Sequence, residues 1–156
     1  MPKKTPMPPI RPACPEDLPA LLTLVNGLAA FHDDPPNADL SALNRDLFTD
    51  PVVICLVADG DAGLVGYVAL TTVVQWQFGV RGLDMHHLFT APDHRGAGVG
   101  AALVGAALHT ARQKGCAYVT VGTHPDNLAA QGFYLSQGFQ RRPDTPARFS
   151  IRLRAV

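Results

Sequence analysis

The stretch Arg95-Gly-Ala-Gly-Val-Gly100 sets glycines at alternate positions between two segments of opposite periodicity. Before it, residues 83–90 read as a strand, and Ala91-Pro-Asp-His-Arg-Gly96 does not continue a strand easily. After it, Val99, Leu103, Ala107 and Ala111 recur at helical spacing, with Gly115 as a C-terminal stop. A glycine-rich strand-to-helix turn points to an α/β chain. It also leaves free backbone N–H groups at a helix start, where the positive end of the dipole favours an anion. Two readings of the glycines stand side by side: a cradle for phosphate oxygens, or a tight turn with close packing. A dinucleotide fingerprint over Gly96, Gly98 and Ala101 is weakened because residues 118–121 supply no acidic partner for a ribose. No Gly-Lys-Ser/Thr follows, which argues against a nucleoside triphosphate loop.

The rest of the chain supplies the layers for that turn. Residues 1–9 are proline-rich and aperiodic and read as a flexible tail, so residues 10–156 are expected to form one domain that starts with a short strand at 10–13. Leu18, Leu21, Leu22, Val25 and Leu28 predict an amphipathic helix, and residues 39–48 a second. The apolar run at 52–58 ends in Asp59-Gly60-Asp61 and predicts a buried strand, followed by strands at 64–74 and 83–90. Further on come a short strand at 118–121 and a helix from Pro125 to Gly138. Phe149, Ile151 and Leu153 alternate with Ser150, Arg152 and Arg154, which predicts a half-buried closing strand.

Charge and cysteine content narrow the partners. The 13 basic residues balance the 13 acidic ones, so no net field draws the molecule to nucleic acid or to an anionic membrane. No stretch approaches the ~18 apolar residues of a membrane span, and the start of the chain has no apolar export segment. Cys14, Cys55 and Cys116 are widely spaced and odd in number, which fits a reducing, cytoplasmic setting. His32, His94, His109 and His124 lack ligand spacing, so no metal site is expected.

Two motifs carry a resemblance. Leu88-Phe-Thr-Ala-Pro-Asp-His-Arg-Gly-Ala-Gly-Val-Gly100 resembles the signature of the GNAT superfamily of N-acetyltransferases. Asn127 with Gly132-Phe-Tyr-Leu-Ser-Gln-Gly-Phe139 resembles that family's second signature. Phe31-His32, residues 47–51 and residues 55–58 look most like the diamine and polyamine acetyltransferase branch. The resemblance implies a central mixed, mostly antiparallel sheet with a splayed strand pair, flanked by helices, and acetyl-CoA as cosubstrate.

On that resemblance, Leu88, Phe89 and Thr90 offer backbone groups to the pantetheine arm and thioester carbonyl, where N–H groups stabilise an oxyanion. Arg95, Gly96, Ala97, Gly98, Val99, Gly100 and Ala101 match the loop that receives the pyrophosphate. Asn127 matches a residue that binds the pantetheine arm, with a helix N-cap as the competing role. Tyr134 matches the general acid that protonates the departing sulfur, with an aromatic core residue as the competing role, and Phe133 a core or coenzyme wall position. Where the branch carries a glutamate, this chain has His86, a base or water-relay candidate that Asp84 orients if the strand has no bulge, or else a bystander. His87 is expected to face away. Phe31, His32, Asp33, Trp76 and Asp84 are the acceptor-side candidates, although Asp33 also suits an exposed turn and Trp76 a cap on the sheet edge. The implied activity is acetyl transfer to a primary amine of a small molecule, with a protein lysine or N-terminus, or an acyl-CoA-binding module of little turnover, as alternatives. Related domains often pair, so a homodimer is admissible.

Overall fold

The computed structural model describes residues 4–143 and 147–155. The chain forms two compact units, Met1–Gly122 and Thr123–Val156. The first contains a five-stranded sheet in the order β1 (Ile10–Pro12), β2 (Val53–Gly60), β3 (Gly63–Gln75), β4 (Val80–Thr90) and β5 (Tyr118–Val121). Neighbours from β1 to β4 are antiparallel, and β5 runs parallel to β4. This is the mixed, mostly antiparallel sheet that the resemblance implies.

The parallel step requires a crossover, and α3 (Val99–Gln113) provides it. Its buried stripe of Val99, Leu103, Val104, Ala107 and Ala111 follows helical spacing. On the opposite face, α1 (Leu18–Phe31) lays Leu21 and Leu24 over Cys55, Val57, Tyr67, Ala69 and Phe89. Covered on both sides, β3 buries six consecutive residues from Val65 to Leu70, which explains its unbroken apolar run. Short α2 (Leu40–Asn44), capped by the Asp39 carboxylate accepting from Ala42 N–H at 2.7 Å, runs into a π-helical turn, Arg45–Thr49.

One polar tie anchors the sheet edge. The Arg11 guanidinium donates to both Asp17 oxygens at 2.7 and 2.8 Å and to Asp59 at 3.0 Å, joining β1, β2 and the start of α1. Asp17 is only 8% exposed, and its partner Arg11 holds its carboxyl well below the usual carboxylate range.

In the second unit, α4 (Leu128–Ser136) follows the Asn127 cap. The closing strand expected over 149–154 does not form. Residues 147–150 have no regular structure, and Phe149, Ile151 and Leu153 are 96%, 88% and 95% exposed. Alternation states which side a strand would bury, but a strand also needs a neighbour to pair with, and none of the five strands pairs with this segment. Among the described residues, no helix is long and apolar enough to cross a membrane.

Candidate functional site

Pairing between β4 and β5 runs from Gly82↔Tyr118 to Met85↔Val121 and stops there, while β4 continues to Thr90 on its β3 side. Among the described residues, 86–90 therefore present a free backbone edge where the two parallel strands part. A splayed strand was implied at this place, and the truncated ladder is its structural form. Exposed main-chain donors and acceptors at such an edge suit an extended, amide-bearing ligand.

The edge leads directly into the glycine loop. After a 3-10 turn at Pro92–His94, Gly96 and Gly98 take φ of +75° and +89°, left-handed conformations that side-chain-bearing residues resist. Gly98 is the N-cap of α3, and among the described residues no side chain caps the helix. The first helical backbone bond is donated by Ala102 N–H to Gly98 O at 3.0 Å, so the amides of Val99, Gly100 and Ala101 precede that ladder. Residues 95–98 are exposed. Uncapped amides at a positive helix end, on an exposed loop, suit an anion such as a pyrophosphate. The Arg95 side chain turns back instead, donating to Thr90 O at 3.0 Å and lying 5.0 Å from the Phe31 ring centre and 5.4 Å from that of Phe89.

The acceptor-side residues depart from the period-two expectation at one point. Ala69 pairs with His87 and Leu70 with Met85, so His86 is an extra residue in a β-bulge. The bulge brings both imidazoles together, stacked at 4.2 Å with 14° between planes, and His87 does not face away. Asp84 does not orient His86. Its carboxylate accepts from the Thr120 hydroxyl at 2.8 Å, bracing β4 against β5. His87 instead meets Tyr67, whose hydroxyl lies 3.0 Å from Nδ1. Burial, with His86 and His32 nearby, lowers the His87 pKa to about 4. Tyr67 and the partnership of His87 were not legible in the sequence, because no residue signals the bulge in advance.

Phe31 and His32 end α1, with ring centres 5.3 Å apart, and Phe31 reaches Arg95. Asp33 has φ of +57° and its N–H bonds to Ala30 O, the geometry of a helix-ending turn. Trp76 lies in the turn between β3 and β4, 89% exposed. Six residues of strand separate Val80, at that turn, from His86, a distance of roughly 20 Å. Trp76 is therefore not brought to the imidazole pair.

In the second unit, Asn127 caps α4, its side-chain oxygen accepting from Ala130 N–H at 3.1 Å. Tyr134 packs edge-on against Phe133 at 5.5 Å and Phe139 at 5.8 Å, and burial pushes its phenol pKa up. The Arg141 guanidinium donates to Gln131 at 2.6 Å, a local tie. Among the described residues, no group of three or more His, Cys, Asp or Glu is placed to hold a metal.

Comparison with known proteins agrees with this geometry. A model of the acetyltransferase (GNAT) family matches residues 21–139. N-acetyltransferase 8B of Rattus norvegicus is 30% identical over 105 residues, which cover 67% of this chain and 47% of that protein. An uncharacterized N-acetyltransferase of Mycobacterium tuberculosis is 33% identical over 114 residues, 72% of this chain and 67% of its own. The chain spans about half the length of the N-acetyltransferase 8 relatives it matches. A solved structure described as a probable acetyltransferase superposes with a TM-score of 0.83 at 23% identity, covering 92% of this chain and 98% of that one.

Proposed function

Because the chain belongs to the GNAT acetyltransferase family, whose members use acetyl-CoA, we propose that it transfers the acetyl group to a primary amine of a small molecule by direct attack on the thioester. One observation carries this reading: the unpaired β4 edge at residues 86–90 runs straight into the uncapped N-terminus of α3. Acetyl-CoA has the matching order of parts, with an amide-bearing arm followed by a pyrophosphate. The arm pairs with the edge, and the amides at the start of α3 hold the pyrophosphate.

Backbone N–H groups of Leu88, Phe89 and Thr90 supply hydrogen bonds where the thioester oxygen gains charge. The amine nitrogen forms a bond to the acetyl carbon, and the carbon–sulfur bond breaks. His86 takes the amine proton, directly or through water, and Tyr134 gives its proton to the departing sulfur. A raised phenol pKa keeps that proton in place until the thiolate forms. Holding the two substrates together contributes much of the acceleration.

The test is acetyl-CoA-dependent thiol release with diamines, polyamines, amino acids and lysine peptides from pH 6 to 9, beside Tyr134→Phe. Selective release with a small amine, reduced about 10²-fold or more in the variant with coenzyme binding retained, is the expected result. Preference for peptides transfers the acceptor assignment to protein lysines. Coenzyme binding without release from any acceptor favours a binding module.

A further inference from the structure

The bulge at His86 aligns a second imidazole that acetyl transfer as described does not use. Tyr67 is 1% exposed, and among the described residues the hydrogen-bond partner of its hydroxyl is His87 Nδ1. A buried phenol that accepted from Nδ1–H would leave its own proton without an acceptor, whereas donating to Nδ1 satisfies both groups. The proton of the neutral ring then lies on Nε2. The titratable groups facing this ring are Tyr67 from β3, His86 from β4 and His32 from the end of α1, and none is a carboxylate. With Nδ1 occupied and Nε2 protonated, His87 is a donor and not a base.

The surroundings give that donor a meaning. A chain of ring contacts links His87 through Tyr67 and Phe89 to the Arg95 guanidinium, and Phe31 links Arg95 to His32. Among the described residues, no carboxylate forms an ion pair or hydrogen bond with the His87, His32 or Arg95 side chain. Asp33 and Asp34 are exposed in the turn beyond His32. A second ammonium group on an acceptor would meet only the solvent-exposed carboxylates of Asp33 and Asp34, whereas a carboxylate would find an imidazole N–H and a guanidinium.

We infer, resting on the acetyl-transfer reading, that Tyr67 fixes His87 in its Nε2–H tautomer and that this N–H binds a carboxylate carried by the amine acceptor. Tyr67 is then a positioning residue, and His87 determines acceptor class.

Matched acceptors test this directly: lysine against cadaverine, ornithine against putrescine, and β-alanine against ethylamine differ by one carboxylate. The expected result is a higher kcat/KM for the carboxylated member of each productive pair. His87→Phe, which keeps an aromatic stack, should lower that ratio about tenfold or more, through KM. His87→Gln, whose amide nitrogen falls near the position of Nε2 and accepts no proton, should restore most of the ratio. A base role predicts that Gln fails as Phe does, and that result overturns the inference. Equal or reversed preference within the pairs also overturns it.

Ring-nitrogen NMR of the free protein supplies a second readout without substrate. Nε2–H in the wild type, with a mixture of tautomers in Tyr67→Phe, supports the tautomer assignment, and Nδ1–H in the wild type overturns it. If no amine of any pair turns over, the small-amine reading and the acceptor assignment both fall, while the spectrum still decides the Tyr67–His87 arrangement.

Discussion

Gly98→Ala tests the phosphate loop with a single methyl group. Gly98 has φ of +89° and ψ of 6°, and an added Cβ would meet only the flexible end of Met7, at 3.1 Å. The cost is therefore conformational, about 1–2 kcal/mol for a side-chain-bearing residue in the left-handed region. In the free variant the loop escapes that strain by rotating, which turns the amides of residues 99–101 away from their shared focus. Coenzyme A must restore the original geometry, so its binding weakens by that strain, about 5- to 30-fold. Isothermal titration with coenzyme A reads the change, and pantetheine, which lacks the pyrophosphate, should be insensitive to it. Gly105→Ala serves as the control. Gly105 lies inside α3 with nothing within 4 Å of an added Cβ, so alanine there should stabilise the helix by about 0.5–1 kcal/mol without altering affinity. Coenzyme affinity in Gly98→Ala within about twofold of the wild type would refute the loop assignment.

The remaining tests concern stability and pH. Asp17→Asn removes the charge that Arg11 grips from a nearly buried site and should cost about 1–3 kcal/mol in denaturant titration at pH 7. Because the folded carboxyl is held below its unfolded value of roughly 4, this stabilisation is present above that pH and is lost as pH falls below it. The wild-type advantage over Asp17→Asn should therefore shrink under acid, and a constant difference from pH 7 to 3 would contradict the pairing. His87 acts in a higher window: with a folded pKa of about 4 against roughly 6.5 unfolded, the unfolded chain binds the extra proton between them. Stability is full above about pH 6.5 and falls towards pH 4, by about 1–2 kcal/mol once the partial exposure of the ring is allowed for. His87→Gln should flatten that part of the stability curve, and an unchanged slope would count against a neutral, half-buried ring.

What the sequence revealed and what it concealed divide along physical lines. Helix α3 was legible because its stripe of Val99, Leu103, Ala107 and Ala111 and its flanking glycines agree at every level. Strand β5 was legible as a short apolar run, and the glycine loop by its composition. The closing strand was misread because Phe149, Ile151 and Leu153 alternate correctly, yet pairing depends on a partner that alternation does not name. The site was misread where period two failed. One extra residue at His86 rotates the side chains that follow, so His87 comes round to Tyr67, while Asp84, ahead of the bulge, is taken up by Thr120. Tyr67 lies near twenty residues upstream of its partner, and only the β3–β4 register brings the two together.

The bulge makes β4 tolerant of a shorter chain at one position. Removing a residue from the middle of a strand ordinarily sends every later side chain to the wrong face. Residue 86 is the exception, because pairing already skips it: without it, Met85 still faces Leu70, His87 still faces Ala69, and the free edge from 87 to 90 is unchanged. Deleting His86 should therefore leave a folded, coenzyme-binding protein, with acetyl transfer lost along with the proposed base. Deleting Met85 also restores an unbulged ladder, but it moves His86 into a position where Met85 is only 2% exposed. That deletion loses a buried side chain, at about 2–5 kcal/mol, and places an imidazole where it has no established partner. Thermal melts and coenzyme titrations of the two deletions separate the cases. Deletion of His86 as damaging as deletion of Met85 would mean that the extra residue is structural, required for the twist of β4, and not an insertion that serves the chemistry.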